Sequence, residues 1–427
     1  MKKLLFSVLF LLAALSLEAR RMPRYPFIPA DRNVLQFPGG ASDEFDLFLR
    51  KLDTLVNTGK GDVRVLHVGG SHVQAGTWTD RLRTHFLSLR YGIDGGRGLV
   101  FPFSAAGTNT PISYSSSYIG NWEKSTCLKP ETTLGLTGMA ITASDTSARV
   151  SVDLLPRELH LHQPRYTFNR VDVLGEGTLE PVLLLQGKDT LRGVSGHGLT
   201  HFDLPYYTDW IQVAFAGGPG RYSLRGLYLD KPNTGFTMVE AGVNGAATSS
   251  WLRCEEWEEE LRRVRPDLVI FSIGINDIQG DFDPVRFKAN YRQLVRRVRR
   301  VNPRCAILFT GINDSYRKRN VNPNTPACEE AFEALAREYK AVYWDWFGIM
   351  GGTGSMSQWQ QAGLAQSDKI HFTTEGYKVL GDMLFDAIME RYHSLVSSTS
   401  PAIQSASPVM QSTSPVILSE ANVSPLQ

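Results

Sequence analysis

The sequence has little cysteine, no excess of charge of one sign and only one long apolar run. Its four cysteines include no CxxC pair, and its nine histidines form no cluster at metal-ligand spacing, so the usual signatures of a zinc site are missing. The 45 basic residues nearly balance the 43 acidic ones, which argues against nucleic acid as a partner and favours a small or polysaccharide substrate. Three complete disulfide pairings remain open to Cys127, Cys254, Cys305 and Cys328.

The long apolar run lies at the N-terminus, directly after Met1-Lys2-Lys3. It covers residues 4–17 and leads to Ala19 at a small-residue cleavage point, a pattern typical of a secretory signal peptide. The run is shorter than the ~20 residues that cross a bilayer comfortably. We therefore predict that residues 1–19 are removed, that the mature protein is periplasmic or extracellular, and that no stable membrane insertion remains. An uncleaved anchor is the alternative.

Two separate parts of the chain alternate short apolar runs with helical periods. The first is a strand near 61–69 followed by a helix; the second repeats the pattern, with predicted strands at 268–273, 306–310 and 341–346 and predicted helices at 284–301, 327–340 and 377–392. Strands that alternate with helices favour a parallel sheet. We predict an α/β fold with a doubly wound parallel sheet, formed by residues 20–111 and 235–396.

The region between these parts, 112–234, has a different pattern. Short β-forming runs recur there, separated by glycine, proline and aspartate, with no long helical period. This predicts an inserted β-sandwich, with an extended β-rich decoration of one domain as the alternative. From residue 397 to 427 the chain is rich in Ser, Thr, Pro and Gln, which predicts a disordered tail.

Ser71 stands at the junction of a predicted strand and a predicted helix, after two glycines. The glycines permit a tight turn that would expose its hydroxyl at the carboxyl end of the sheet, where α/β folds place their ligands. The start of the helix also leaves backbone N–H groups able to bind an oxyanion. A serine at this place is also a common helix N-cap, so it needs partners to be assigned as a nucleophile.

Asp368 and His371 lie three residues apart, before the predicted C-terminal helix. This spacing lets both side chains face one cleft, where His371 could accept the serine proton while Asp368 orients the imidazole. Two further segments could stabilise an oxyanion, the glycine-rich 241–246 and Asn276, each after a predicted strand. Each segment alone could equally be a solvated loop or an ordinary turn.

Taken in order, these segments resemble the SGNH (GDSL-like) hydrolase family. Its four sequence blocks carry Ser, Gly, Asn, and a His preceded three residues earlier by Asp. The matching segments here are GGSH at 69–72, GVNGA at 242–246, GIND at 274–277 and DKIH at 368–371. The resemblance implies a flavodoxin-like α/β fold and a serine esterase that needs no cofactor or metal.

The resemblance also implies a role for each matching residue. Ser71 would be the nucleophile, His371 the base and Asp368 its orienting acid. The oxyanion hole would be formed by the backbone N–H groups of Ser71 and Gly245 and by the side-chain amide of Asn276. The residues that bind the rest of the substrate stay unidentified.

Two features depart from the family pattern. The family usually has aspartate where this chain has Gly70, so the support of an acidic side chain is missing from that turn. The GIND block also recurs at 311–314. We assign the oxyanion role to Asn276 because it follows the strand next after the Gly245 segment, and we expect Asn313 to be structural.

The resemblance narrows to bacterial peptidoglycan O-acetylesterases that carry an inserted carbohydrate-binding-like β-domain. His72, the glycine-rich 92–100 and a β-rich insert that ends in GVNGA carry this likeness. It implies an acetylated glycan as the substrate, with peptidoglycan favoured. Acetylated xylan, another glycan or a lipid ester stay open, as do a sugar O-acetyltransferase and a non-catalytic glycan-binding protein. The sequence leaves the oligomeric state open.

Overall fold

The computed structural model describes residues 25–93, 95–155, 166–185, 189–232 and 235–399. The predicted signal peptide at 1–19 lies outside these ranges. The predicted tail is wrong at its start, because the last helix continues through Thr399; the rest of the tail lies outside the described residues. Within these ranges, no helix is both long enough and apolar enough to cross a membrane.

A short 3-10 helix covers Ala30–Arg32. The α-helices of the described chain are, in order, α1 (Asp43–Thr58), α2 (Ser71–Gln74), α3 (Thr77–Leu87), α4 (Thr248–Trp251), α5 (Trp257–Val264), α6 (Pro284–Val301), α7 (Thr325–Tyr339), α8 (Trp346–Met350), α9 (Met356–Gln361) and α10 (Thr374–Thr399).

The strands are β1 (Val63–Gly69), β2 (Gly98–Val100), β3 (Ser115–Ile119), β4 (Trp122–Thr126), β5 (Met139–Ala143), β6 (Arg149–Asp153), β7 (Phe168–Gly177), β8 (Glu180–Leu184), β9 (Thr190–Arg192), β10 (Val194–Gly196), β11 (Leu199–Thr208), β12 (Trp210–Ala216), β13 (Tyr222–Asp230), β14 (Phe236–Gly242), β15 (Leu268–Ser272), β16 (Ala306–Phe309), β17 (Tyr316–Arg317), β18 (Asn320–Val321) and β19 (Val342–Tyr343).

Five strands form one sheet in the order β14-β1-β15-β16-β19, and every neighbouring pair is parallel. Their apolar side chains alternate between two cores. Val65 and Ile270 pack with α1, α3 and α10 on one face, while Leu66 and Phe271 pack with α5, α6 and α7 on the other. Burial on both faces explains why these strands read as near-continuous apolar runs. The predicted doubly wound α/β fold is confirmed.

Helix α6 shows how sequence, packing and site are connected. It begins at Pro284 because the Asp283 carboxylate caps its first turn, accepting hydrogen bonds from the next free backbone N–H groups. Its buried face includes Tyr291, whose hydroxyl donates to the carbonyl of Ile273 at 2.5 Å. This bond anchors the end of β15, from which the loop that carries Asn276 leaves the sheet.

The β-rich region forms two antiparallel sheets that share one hydrophobic core. One has the order β10-β11-β7-β13-β5-β4 with β2 also paired to β13, and the other has the order β3-β6-β12-β8-β9. Strand β2 lies before residue 112, so antiparallel pairing starts earlier in the chain than the sequence predicted. The surrounding glycines hide this three-residue strand from a reading based on apolar runs.

Helix α5 fastens the β-rich insert to the α/β domain. Arg225 of β13 donates to Glu260 of α5 at 2.7 Å, and both side chains are almost fully buried. The second carboxylate oxygen of Glu260 accepts the backbone N–H of Leu136 at 2.7 Å. A buried ion pair in which the carboxylate also gains a backbone donor resists separation, because either partner alone would be a buried uncompensated charge.

The four cysteines are all buried and all present as free thiols.

Candidate active site

Ser71 begins α2 directly beyond the carboxyl end of β1. The close approach of α2 to the sheet depends on two glycines, one at the end of β1 and one at the end of the neighbouring edge strand β14. A Cβ atom at Gly69 would lie 2.2 Å from Val73 Cγ2, and one at Gly242 would lie 2.2 Å from the backbone nitrogen of Gln74. Only glycine fits at these two positions, and this packing holds the half-buried Ser71 at the edge of the sheet.

The structure brings Ser71, His371 and Asp368 into one hydrogen-bonded chain. Ser71 Oγ lies 2.8 Å from His371 Nε2, although the two residues are 300 positions apart. His371 Nδ1 lies 2.7 Å from Asp368 Oδ2. A hydroxyl, an imidazole and a carboxylate in this order are the arrangement that turns a serine into a nucleophile.

Asp368 is also held by the backbone of its own loop. Its Oδ1 accepts the N–H groups of Ile370 at 2.9 Å and His371 at 3.0 Å. Partial burial raises the pKa of Asp368, but the hydrogen bonds from the His371 side chain and from these two amides outweigh it, so that the pKa lies below its ordinary value. The group is therefore a carboxylate at neutral pH and can stabilise an imidazolium.

Asn313, in the second GIND block, contacts the loop that carries Asp368 and His371, which we call the histidine loop. Its side chain is fully buried, and its Nδ2 donates to the carbonyls of Ile370 at 3.0 Å and Asp314 at 2.8 Å. A second contact holds the same loop, because the Tyr316 N–H donates to the carbonyl of Lys369 at 3.1 Å. The structure therefore places Asn313 as a support for the loop that carries His371.

His72 lies beside the triad and is itself buried. Its Nδ1 is 2.9 Å from the Tyr377 hydroxyl, and its ring centroid is 5.4 Å from that of His371. Burial, reinforced by the neighbouring His371, lowers the pKa of His72 to about 3. His72 is thus a neutral packing partner of the histidine that faces Ser71.

The residues predicted to form an oxyanion hole surround the turn that carries Ser71. Asn276 Nδ2 donates one hydrogen bond to the carbonyl of Ala246 at 3.0 Å, which fixes the amide and leaves its second proton available. Gly245 has a φ of 80°, and within the described chain neither its N–H nor that of Ser71 has a hydrogen-bond acceptor. Three fixed donors of this kind can stabilise a developing oxyanion.

The segments that carry Gly245 and Asn276 are tied to each other. Asp277, next to Asn276, accepts hydrogen bonds from the Thr248 backbone N–H at 3.0 Å and from its hydroxyl at 2.6 Å. Burial raises the pKa of Asp277 to about 6 even though these donors favour the charged form. The oxyanion segments therefore form one connected unit.

Sequence reasoning missed two further contributors at this site. Gln74 is fully buried, and its Oε1 accepts the backbone N–H of Asn244 at 2.6 Å, which holds the turn before Gly245. Leu128, from the insert, is partly exposed, and one of its methyl groups would lie 3.1 Å from a Cβ at Gly245. No local signal marks either residue, because Asn244 and Gly245 lie more than 100 positions further along the chain.

Near the site, Arg253 of the α/β domain also binds the insert. Arg253 Nη1 donates to the carbonyl of Cys127 at 3.1 Å and to that of Leu128 at 2.5 Å. A polar hollow of about 340 Å³ elsewhere in the insert, lined in part by Glu123 and Arg221, includes none of the triad residues. Within the described residues, the region around Ser71 is where a hydroxyl, an imidazole and unpaired backbone N–H groups lie together.

Comparisons with known proteins bear on the family and the fold. The sequence profile of the GDSL-like lipase/acylhydrolase family matches residues 208–379, a range that includes Gly245, Asn276, Asp368 and His371 but begins after Ser71. No curated protein matches the sequence.

One solved structure extends the likeness in fold over most of the chain. A structure described as a peptidoglycan O-acetylesterase matches with a TM-score of 0.70 and 23% sequence identity, over 84% of this chain and 99% of that one. A family two carbohydrate esterase from Cellvibrio japonicus matches over 66% of this chain and 99% of its own, with 11% identity and a TM-score of 0.28. A GDSL-like lipase from Bacteroides thetaiotaomicron matches over 36% of this chain and 76% of its own, with 17% identity and a TM-score of 0.29.

Proposed function

We propose that this chain, an esterase whose residues 208–379 match the GDSL-like lipase/acylhydrolase profile, removes O-acetyl groups from a glycan, with peptidoglycan as the favoured substrate. The observation that carries the proposal is the chain of hydrogen bonds from Ser71 through His371 to Asp368. In the proposed reaction Ser71 is the nucleophile and His371 is the general acid and base.

Acylation begins when Ser71 Oγ attacks the acetyl carbonyl and His371 Nε2 takes the hydroxyl proton. The carbonyl oxygen becomes an oxyanion, which accepts hydrogen bonds from the N–H groups of Ser71 and Gly245 and from the Asn276 amide. The ester C–O bond then breaks, and His371 returns the proton to the departing sugar oxygen. The products of this half-reaction are a free sugar hydroxyl and an acetyl-serine.

Deacylation repeats these steps with water as the nucleophile. His371 removes a proton from a water molecule as the water attacks the acetyl-serine carbonyl. Collapse of the second oxyanion releases acetate, and the proton returns to Ser71. Asp368 keeps its charge throughout and stabilises the imidazolium that forms in each half-reaction.

A glycan substrate is supported by the part that the insert plays at the site. The likeness to the peptidoglycan O-acetylesterase structure extends over most of the chain, so it includes antiparallel sheets as well as the parallel one. The insert also reaches the reaction centre itself, where Leu128 lies beside Gly245. Export from the cell, suggested by the apolar N-terminus, would bring the protein to such a substrate.

Acetate release provides the test. Purified protein would be incubated with O-acetylated peptidoglycan, with acetylated xylan and with an aryl acetate, and the acetate released from each would be measured. We expect release from peptidoglycan at the highest kcat/KM of the three, and Ser71→Ala to lower release from all three by at least about a thousandfold. Ser88→Ala, at an exposed serine directly after α3, serves as the matched control.

Covalent labelling tests the nucleophile separately from the substrate. An organophosphate should modify Ser71 in the native protein and leave the Ser71→Ala variant unmodified. Aryl acetate hydrolysis without release from any glycan would overturn the glycan proposal while preserving the esterase. Full activity of Ser71→Ala would overturn the proposed mechanism.

A further inference from the structure

Three carboxamide side chains form a connected cluster beside the oxyanion turn. We call Gln74, Asn109 and Asn244 the amide cluster. Gln74 is fully buried, whereas Asn109 and Asn244 are exposed at the surface. Gln74 Nε2 donates to Asn109 Oδ1 at 3.1 Å, and Asn244 Nδ2 donates to the same oxygen at 2.8 Å.

The orientation of all three amides follows from one backbone group. The Asn244 N–H can only donate, and it points to the Gln74 side chain at 2.6 Å, so the atom that receives it must be Gln74 Oε1. Gln74 Nε2 is then the atom that faces Asn109, and it also donates to the Thr108 hydroxyl at 3.0 Å and to the Asn109 carbonyl at 3.3 Å. Asn109 presents its side-chain oxygen to this nitrogen, because its own nitrogen would meet a second donor there. Asn244 reaches that same oxygen and must therefore present its nitrogen.

This orientation leaves a defined set of polar groups facing outward. Both protons on Asn109 Nδ2 lack a partner within the described chain, because the oxygen of that amide takes all the internal bonds. Asn244 keeps one Nδ2 proton and its Oδ1. The cluster thus offers fixed donors and one acceptor to solvent, and their positions do not depend on an incoming ligand.

Two members of the amide cluster lie on the segments that carry Ser71 and Gly245. Gln74 is in the same helical turn as Ser71, and Asn244 directly precedes Gly245 in the oxyanion turn. When the ester carbonyl of a substrate lies at Ser71 Oγ, the sugar that carries the ester must extend across the neighbouring surface groups. Amide donors and acceptors held in fixed positions suit sugar hydroxyl and acetamido groups, which also present donors and acceptors at fixed spacings on a rigid ring.

We propose that the amide cluster is a substrate subsite that binds the hydroxyl and acetamido groups of the sugar carrying the ester. This inference rests on the proposed glycan esterase function and names the residues that would recognise the sugar. Asn109 Nδ2 donates to a sugar oxygen, Asn244 supplies a second donor and an acceptor, and Gln74 positions both. Binding costs little ordering entropy, because the cluster is already fixed by its internal hydrogen bonds.

The substitution Asn109→Asp tests the outward donor without dismantling the cluster. One carboxylate oxygen can still accept from Gln74 and Asn244, while the other replaces the outward-facing amide group. The primary readout is competitive inhibition of aryl acetate hydrolysis by the disaccharide of N-acetylglucosamine and N-acetylmuramic acid, which carries no O-acetyl group. Loss of one hydrogen bond and introduction of an acceptor should raise the inhibition constant about fivefold or more.

Two further variants complete the design. Asn121→Asp places the same change on an exposed residue of a turn in the insert and should leave the inhibition constant unchanged. Gln74→Leu removes the positioning group and should lower kcat on aryl acetate as well, because the turn before Gly245 loses its acceptor. If the disaccharide does not inhibit the native protein, or if Asn109→Asp leaves its inhibition constant unchanged, the subsite proposal is wrong.

This experiment separates the subsite from the proposed function. Its readout is binding of a sugar that the enzyme does not turn over, so it gives an answer whether or not peptidoglycan is deacetylated. Failure of the proposed function would appear as missing acetate release from O-acetylated glycans in the native protein. Inhibition that weakens in Asn109→Asp but not in Asn121→Asp supports the subsite in either case.

Discussion

The side-chain amide nitrogen of Asn276 lies 3.2 Å from the position that a Cβ atom would occupy at Gly70. The backbone of Gly70 has a φ of −97°, outside the left-handed region that favours glycine. The constraint lies in the space beside Asn276. The family usually has aspartate at this position. Because this chain has glycine there, the Asn276 amide can lie directly against the turn that carries Ser71.

Gly70→Ala should therefore lower activity through Asn276. The new methyl group would be a few tenths of an ångström too close to the amide and would shift it, at a cost in kcat of up to about tenfold, whereas Asn276→Ala should cost about a hundredfold or more. Because both changes act on the same donor, the double variant should be no slower than Asn276→Ala alone. Steady-state hydrolysis of an aryl acetate measures all three. Multiplicative losses would show that Gly70 acts independently of Asn276.

Asn313→Ala should reduce stability as well as activity, unlike Asn276→Ala. Asn313 is fully buried and donates to two carbonyl groups, so its removal leaves buried acceptors without a partner and should cost about 1–3 kcal/mol in the free energy of unfolding. Release of the Ile370 carbonyl should also loosen the histidine loop and lower kcat. Urea unfolding and aryl acetate kinetics would test both effects. A large loss of kcat at unchanged stability would instead identify Asn313 as a direct oxyanion donor.

The two asparagines show what sequence could and could not predict. The four family blocks predicted which residues would meet, and the structure brings Ser71, Asp368 and His371 together with Gly245 and Asn276 nearby. The sequence also led us to expect a structural Asn313, but its contact with Ile370 arises only when the chain folds back over 57 positions. Gln74 gave no signal at all, because its partners Asn109 and Asn244 are 35 and 170 positions away and a glutamine after a helical serine is ordinary.

The same limit applies to the fold. Long apolar runs predicted the strands of the parallel sheet, because burial on both faces leaves a strong local signal. Strand β2 was not predicted, since three residues among glycines carry no periodicity. Its pairing with β13 is set by a segment more than 100 residues further along the chain.

Acid should destabilise the protein through two buried neutral histidines. Burial lowers the pKa values of His67 and His72 to about 3, while an unfolded histidine titrates near 6.5. A depressed pKa contributes stability that is present above the unfolded value and is lost as the pH falls from 6.5 toward 3. Each histidine should therefore cost roughly 1–2 kcal/mol between pH 6.5 and pH 5.

His72→Gln isolates one of these contributions. Glutamine can still hydrogen bond to the Tyr377 hydroxyl but does not titrate, so the decline in stability toward pH 5 should be shallower by about one bound proton. Urea unfolding of both proteins at pH 7, 6 and 5 gives the two slopes. Equal slopes would mean that His72 is not held neutral by burial.

Glu329 should produce the opposite dependence at higher pH. Burial raises the pKa of this carboxyl to about 8, despite hydrogen bonds from the Tyr343 hydroxyl and the Ile312 N–H that favour the charged form. A raised pKa contributes stability that is present below the unfolded value near 4.5 and is lost as the pH rises toward 8. Glu329→Gln stays neutral, so its stability relative to the native protein should increase by roughly 2–4 kcal/mol between pH 5 and pH 8. Urea unfolding at both pH values measures this change, and parallel pH profiles of the two proteins would show that Glu329 ionises near its ordinary pKa.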